Sequence, residues 1–181
     1  ISAVQSYMDS DRNTFFSAVY KKFVLMAAFF SFVLLLILVP LAPFALSKTF
    51  SEAIQYIPFM VVLGFLVTLP SFWGVICLVV KDTRGVFLST GIGAAVSLVM
   101  FIVLIPAYEI GGCIMASCLG YLSIIAYRII DCRKYLKVDN FAGETIILLV
   151  LLIVVACLIN YNIYFAALLN VIIIIMFVKK Y

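Results

Sequence analysis

Apolar runs of about 20 residues, each closed by a short polar or charged stretch, recur from Phe23 to Val178. A helix of that length spans a hydrocarbon core of roughly 30 Å. In lipid its backbone groups bond within the helix, so no other secondary structure is needed to satisfy them. Reading the runs one after another gives spans over about 23–46, 54–80, 86–105, 110–130, 141–159 and 163–178, preceded by a polar, amphipathic lead-in at 1–22. The expected fold is an all-α polytopic membrane protein with six transmembrane helices. Composition agrees: 67% of residues are hydrophobic and only 11% charged, too few charges to clothe a water-soluble body.

The cations fall on one side of this alternation. Arg12, Lys21, Lys22, Lys81, Arg84, Arg128, Arg133, Lys134, Lys137, Lys179 and Lys180 occupy the N-terminal segment, two turns and the C-terminal end, whereas the opposite loops hold only Lys48. The positive-inside rule then places both termini in the cytoplasm. The net charge of +4 is therefore a topology signal, and we expect no nucleic-acid partner.

Local signals refine the spans. Phe15, Phe16, Val19 and Phe23 recur at helical spacing after a cap at Ser10 or Asp11, giving a helix that leads into the first span. Pro40 and Pro43 close that span near the far interface. Pro70 lies inside the second, where it predicts a kink with Thr68 or Ser71 helping to satisfy the freed backbone. The third span ends at Pro106, Arg128 snorkels from the end of the fourth, and a polar connector follows from Asp131 to Asn140. Glu144 falls at an interface.

Chemistry-bearing patterns are scarce. Histidine is absent, and no HExxH, Gly-rich phosphate loop or Ser/Cys–His pairing occurs, so we expect no enzyme and no metal or other cofactor. Cys77, Cys113, Cys118, Cys132 and Cys157 lack metal-site spacing and read as free, inert thiols. No carboxylate sits deep in a span, so an ion-coupling site is not evident.

Two features invite a functional reading. Ser89, Gly93 and Ser97 in the third span, and Gly112, Ala116 and Gly120 in the fourth, repeat small residues every fourth position, with Ser117 alongside. Such stripes let helix backbones approach closely in lipid. They serve either static packing or a sliding interface, and the pattern alone does not separate the two. The second feature is the set Lys81, Arg84 and Arg128 at the cytoplasmic mouths of these helices, which reads either as topology determinants or as contacts for a pyrophosphate or other anionic head group.

The order Trp73-Gly74-Val75, Val80-Lys81-Asp82-Thr83, Leu104-Ile105-Pro106-Ala107-Tyr108 and Gly111-Gly112-Cys113-Ile114-Met115-Ala116-Ser117 resembles the polysaccharide flippases of the multidrug/oligosaccharidyl-lipid/polysaccharide exporter superfamily. The run Asp9 to Phe15, followed by a span with Pro40 and Pro43, is similar to the later helices of that family, so the resemblance covers roughly residues 1–140. Glu109 stands where the family often has glycine, and Ser89 and Ser97 where asparagines are common. Family members have about twelve to fourteen spans in two lobes around a cavity. The resemblance therefore implies a C-terminal portion whose partners include membrane lipid, a lipid-linked oligosaccharide and missing N-terminal helices of the same protein. The start at Ile1, with no signal-like segment, fits that expectation of a fragment. It also implies residence in the bacterial cytoplasmic (inner) membrane and movement of an undecaprenyl-pyrophosphate-linked oligosaccharide to the outer leaflet for surface polysaccharide synthesis. The competing reading is a six-span assembly subunit that binds partners through Gly112, Ala116 and Gly120; an intramembrane enzyme is a weaker third.

Overall fold

The computed structural model describes residues 12–79, 81–132, 142–161 and 163–180, and their regular structure is entirely helical. Helix α1 is Arg12–Ala45, a 3-10 helix follows at Lys48–Tyr56, and α2 is Ile57–Val79. Helix α3 is Thr83–Cys132, α4 is Ala142–Tyr161 and α5 is Ile163–Lys180. Three helical stretches are long and apolar enough to cross a membrane: Phe15–Ala45, Ser51–Val79 and Thr83–Cys132; a shorter apolar helix covers Thr145–Asn160. The cap at Ser10 or Asp11, the connector cations Arg133, Lys134 and Lys137, and the side chains of Glu144, Lys179 and Lys180 lie outside the described residues.

At 50 residues, α3 would be about 75 Å long if straight, more than twice the thickness of a hydrocarbon core. It is not straight. Glu109 has φ 50° and ψ −121°, and the chain reverses there into two arms, 83–108 and 110–132. Space for a side-chain carbon shows how the arms return on each other. A Cβ on Gly112 would strike the backbone of Leu104, one on Gly120 would strike Ser97 Oγ, one on Gly93 would strike Ile124, and one on Gly85 would strike the Asp131 carboxylate. These contacts step outward from Glu109 in antiparallel register. The two arms cover the ranges 86–105 and 110–130 that the sequence marked as separate apolar helices, and the reversal at Glu109 falls between them, three residues beyond Pro106.

The structure divides into two compact units, Ile1–Val24 with Leu66–Glu144 and Leu25–Phe65 with Thr145–Tyr181. In the first, Tyr20 of α1 packs its ring on Phe72 at 4.9 Å and on Trp73 at 5.5 Å, and Phe23 meets Phe72 at 5.8 Å. Trp73 and Ile76 of α2 are fully buried in this unit. In the second, Phe32 and Leu35 of α1, Phe65 of α2 and Leu152 and Val155 of α4 form the interior. Asn170 of α5, only 2% exposed, donates Nδ2–H to the Phe32 carbonyl at 3.2 Å. A polar bond between helices of this kind contributes about 0.6–2 kcal/mol in lipid.

Local details refine the expected helices. The inward stripe of α1 runs Phe16, Tyr20, Val24, Ala28, Phe32, Leu35, Val39, Ala42, so Phe15 and Val19 face outward. The helix continues through Pro40 and Pro43 and stops at Ala45. The second span starts as 3-10 helix and becomes α-helical only at Ile57, with Pro58 in the first turn, where proline is tolerated.

The Glu109 backbone occupies a region that L-residues rarely adopt and glycine enters freely. Glu109→Gly is expected to stabilise the protein by about 1 kcal/mol, and Glu109→Ile to destabilise it by a similar amount or more, in thermal unfolding of the detergent-solubilised protein.

Candidate functional site

The candidate site lies at the end of the first unit where α2 stops and α3 begins and ends. Helix α2 is closed by paired bonds, Lys81 N–H to the Leu78 carbonyl at 3.0 Å and Asp82 N–H to the Cys77 carbonyl at 2.9 Å, with Lys81 at φ 61°. This is the left-handed helix stop that satisfies the last carbonyls, here with a lysine in the place glycine usually takes. Asp82 then caps α3: the Gly85 N–H points to its Oδ1 at 3.4 Å. One short turn ends one helix and starts the next, with Lys81 and Arg84 on its exposed side.

Arg128 behaves differently. It is 9% exposed and turns inward rather than snorkelling. Its Nε–H donates to Ser89 Oγ at 2.9 Å, its Nη1–H₂ to the Pro70 carbonyl, and its Nη2–H₂ to Thr90 Oγ1 at 3.3 Å. The two hydroxyls are oriented to accept because each spends its own hydrogen on the Val86 carbonyl, at 2.8 Å in both cases. The planar fork of arginine reaches three acceptors at once, which a lysine ammonium on a flexible stem would not. Arg128 thus ties together α2 and both arms of α3.

Glycine makes the room. A Cβ on Gly74, one turn beyond Pro70, would lie 2.9 Å from Arg128 Nη1. On the other side of the seam, a Cβ on Gly120 would approach the Gly93 carbonyl to 3.0 Å, and the reciprocal Cβ on Gly93 would approach the Gly120 carbonyl equally closely. Ser89, Gly93, Gly112, Ala116 and Gly120 are all buried, and Ser97 supplies the hydroxyl that Gly120 faces. Ser117 returns its hydroxyl to its own helix, at the Cys113 carbonyl, and is not part of the seam.

Of the three cations singled out in the sequence, Lys81 and Arg84 are exposed while Arg128 is built into the interior. Helix α2 is continuous through Pro70, whose carbonyl is one of the three acceptors, and Ser71 faces outward. Sequence reasoning missed two partners. Asp131, assigned to the connector, is helical and buried against Gly85. Cys77 and Cys132, 55 positions apart, place their Sγ atoms 3.4 Å from each other. Only the glycines hinted at such close approaches.

Among the described residues no group of three or more His, Cys, Asp or Glu side chains could hold a metal ion. No protein-family model, curated protein or solved structure matches the chain.

The Arg128 seat predicts a position-specific cost. Gly74→Leu should lower stability by about 1–3 kcal/mol because the guanidinium must leave at least one acceptor, while Gly64→Leu, where nothing lies within 4 Å, should change it by less than about 0.5 kcal/mol. Thermal unfolding of the two variants in the same detergent measures the difference.

Proposed function

We propose that the chain is the C-terminal part of a transporter that flips a lipid-linked oligosaccharide, carried on undecaprenyl pyrophosphate, across the bacterial cytoplasmic membrane. The proposal includes six spans with both termini in the cytoplasm: α1, α2, the two arms of α3, α4 and α5. The support is the ordered run of turn, Leu-Ile-Pro and small-residue motifs described above, together with one structural observation. Gly112, Ala116 and Gly120 are consumed inside the chain's own hairpin, against Leu104, Ser97 and Gly93. An assembly subunit docking through that stripe would have to open the hairpin first, so the competing reading loses its binding surface.

In this proposal the exposed Lys81 and Arg84 contact the pyrophosphate head group at the cytoplasmic mouth. Arg128, first read with them as a head-group contact, holds that mouth together from within by joining α2 to the hairpin. An intramembrane arginine is costly unless its donors are met, and here Nε, Nη1 and Nη2 all find acceptors. The interfacial cations need only modest energy each, since an exposed charge pair contributes up to about 1 kcal/mol.

The test uses the full-length protein in a flippase-deficient strain, with surface polysaccharide as the readout. Lys81→Gln with Arg84→Gln should reduce export about tenfold at unchanged membrane abundance, as expected from losing roughly 1.4 kcal/mol of head-group binding. Unchanged export would make these cations topology determinants alone. Failure of the unsubstituted protein to restore export across several glycans would contradict the flippase reading itself.

A further inference from the structure

Buried cysteines are ordinarily small, inert hydrophobic residues, and a lone one at the end of a helix would call for nothing more. Cys77 and Cys132 are different because the fold has made them a pair. Cys77 lies in the last turn of α2, and Cys132 is the final residue of α3. Both are fully buried, and their Sγ atoms are 3.4 Å apart, within thiol hydrogen-bond contact. Cys132 Sγ also lies 3.9 Å from the Trp73 carbonyl, which holds the thiol toward α2. A disulfide has an S–S length of about 2.05 Å, so closure requires the sulfurs to approach by only about 1.4 Å, within reach of side-chain rotation.

We propose that Cys77 and Cys132 form an oxidisable dithiol, a modification site that a small-molecule disulfide converts into a covalent staple between α2 and the second arm of α3. The exchange balances without a metal or a further oxidant. The thiolate of one cysteine attacks a sulfur of the external disulfide RSSR, forming a mixed disulfide and expelling RS⁻. The second cysteine then attacks the protein sulfur of that mixed disulfide and expels the second RS⁻. The two thiol protons end on the two RSH molecules; the protein loses two electrons and the reagent gains them. The second step is fast because its nucleophile is already in contact with its target, so the mixed disulfide does not accumulate. Access comes from opening of the helix ends around the Lys81 turn, since termini are where local unfolding costs least.

The staple falls one turn from Arg128, which sits at 128 in the same arm and reaches Pro70 of the same α2 helix. Oxidation therefore fixes covalently the seam that Arg128 holds by hydrogen bonds. The proposal stands apart from the transport reading, and its test does not depend on transport.

The test treats membranes containing the full chain, with Cys118→Ser and Cys157→Ser, with 4,4′-dithiodipyridine, then blocks remaining thiols with N-ethylmaleimide. Cys113, which is exposed, is retained as the internal control. The expected result is one dithiothreitol-reversible cross-linked peptide joining Cys77 to Cys132, with a pyridyl adduct on Cys113 alone. Oxidation should also raise the unfolding temperature by several degrees, an effect lost in Cys77→Ala and in Cys132→Ala, each of which should instead trap a mixed disulfide on the remaining cysteine. Separate pyridyl or maleimide adducts on Cys77 and Cys132 in the parent would overturn the proposal. So would survival of both as free thiols when Cys113 is fully consumed.

Discussion

The first unit depends on two backbones being allowed to touch. Water does not drive helices together in lipid, so association rests on close packing and on polar bonds that the bilayer cannot supply. Gly93 and Gly120 face each other across the hairpin with no room for a Cβ on either, and Gly112 passes directly over the Leu104 backbone. The Ser97 hydroxyl occupies the space that a Cβ on Gly120 would need. Any larger residue along this seam would push the arms of α3 apart and carry Arg128 away from Ser89 and Thr90 on the opposite arm.

Arg128 then adds what packing lacks, which is direction. Small-residue seams slide easily because they are smooth. A guanidinium seated on two hydroxyls of one arm and on a carbonyl of α2 sets both the register of the hairpin and its attachment to its neighbour. The adjacent turn is built with similar economy: Lys81 ends α2 in a left-handed conformation and Asp82 begins α3 one residue later. The two exposed cations of that turn are thereby held beside the seam's end without being part of it. This arrangement separates the exposed cations of the turn from the buried arginine that holds the helix ends together.

Much of the hairpin was legible in the sequence. The charged turn at 81–84, Pro106 and the small residues at every fourth position marked two helices that pack closely, and these features act locally. The inward face of α1 was not legible. Its faces are almost equally apolar, so helical periodicity carried no phase, and the inward stripe begins at Phe16 rather than Phe15. The role of Arg128 was hidden for another reason. Snorkelling is the default for an arginine near a span end, and its acceptors lie 38, 39 and 58 positions away. The Cys77–Cys132 contact was invisible for the same reason, because no spacing rule links residues brought together only by the return of α3. The reversal at Glu109 falls within the expected break at 106–109, but its place at the glutamate rather than at Pro106 was not marked, since proline is the usual sign of a helix end.

The central claim is that Thr83–Cys132 forms a closed antiparallel hairpin. Spin labels at Phe87 and Ile130, both exposed and at matching heights on the two arms, test it in the bilayer after replacement of Cys77, Cys113, Cys118, Cys132 and Cys157. Packed helices lie about 8–10 Å apart, so with label arms a double electron–electron resonance distance of roughly 15–30 Å is expected. A continuous helix would hold the same positions about 65 Å apart, and a distribution centred there would contradict the hairpin and the seam built on it.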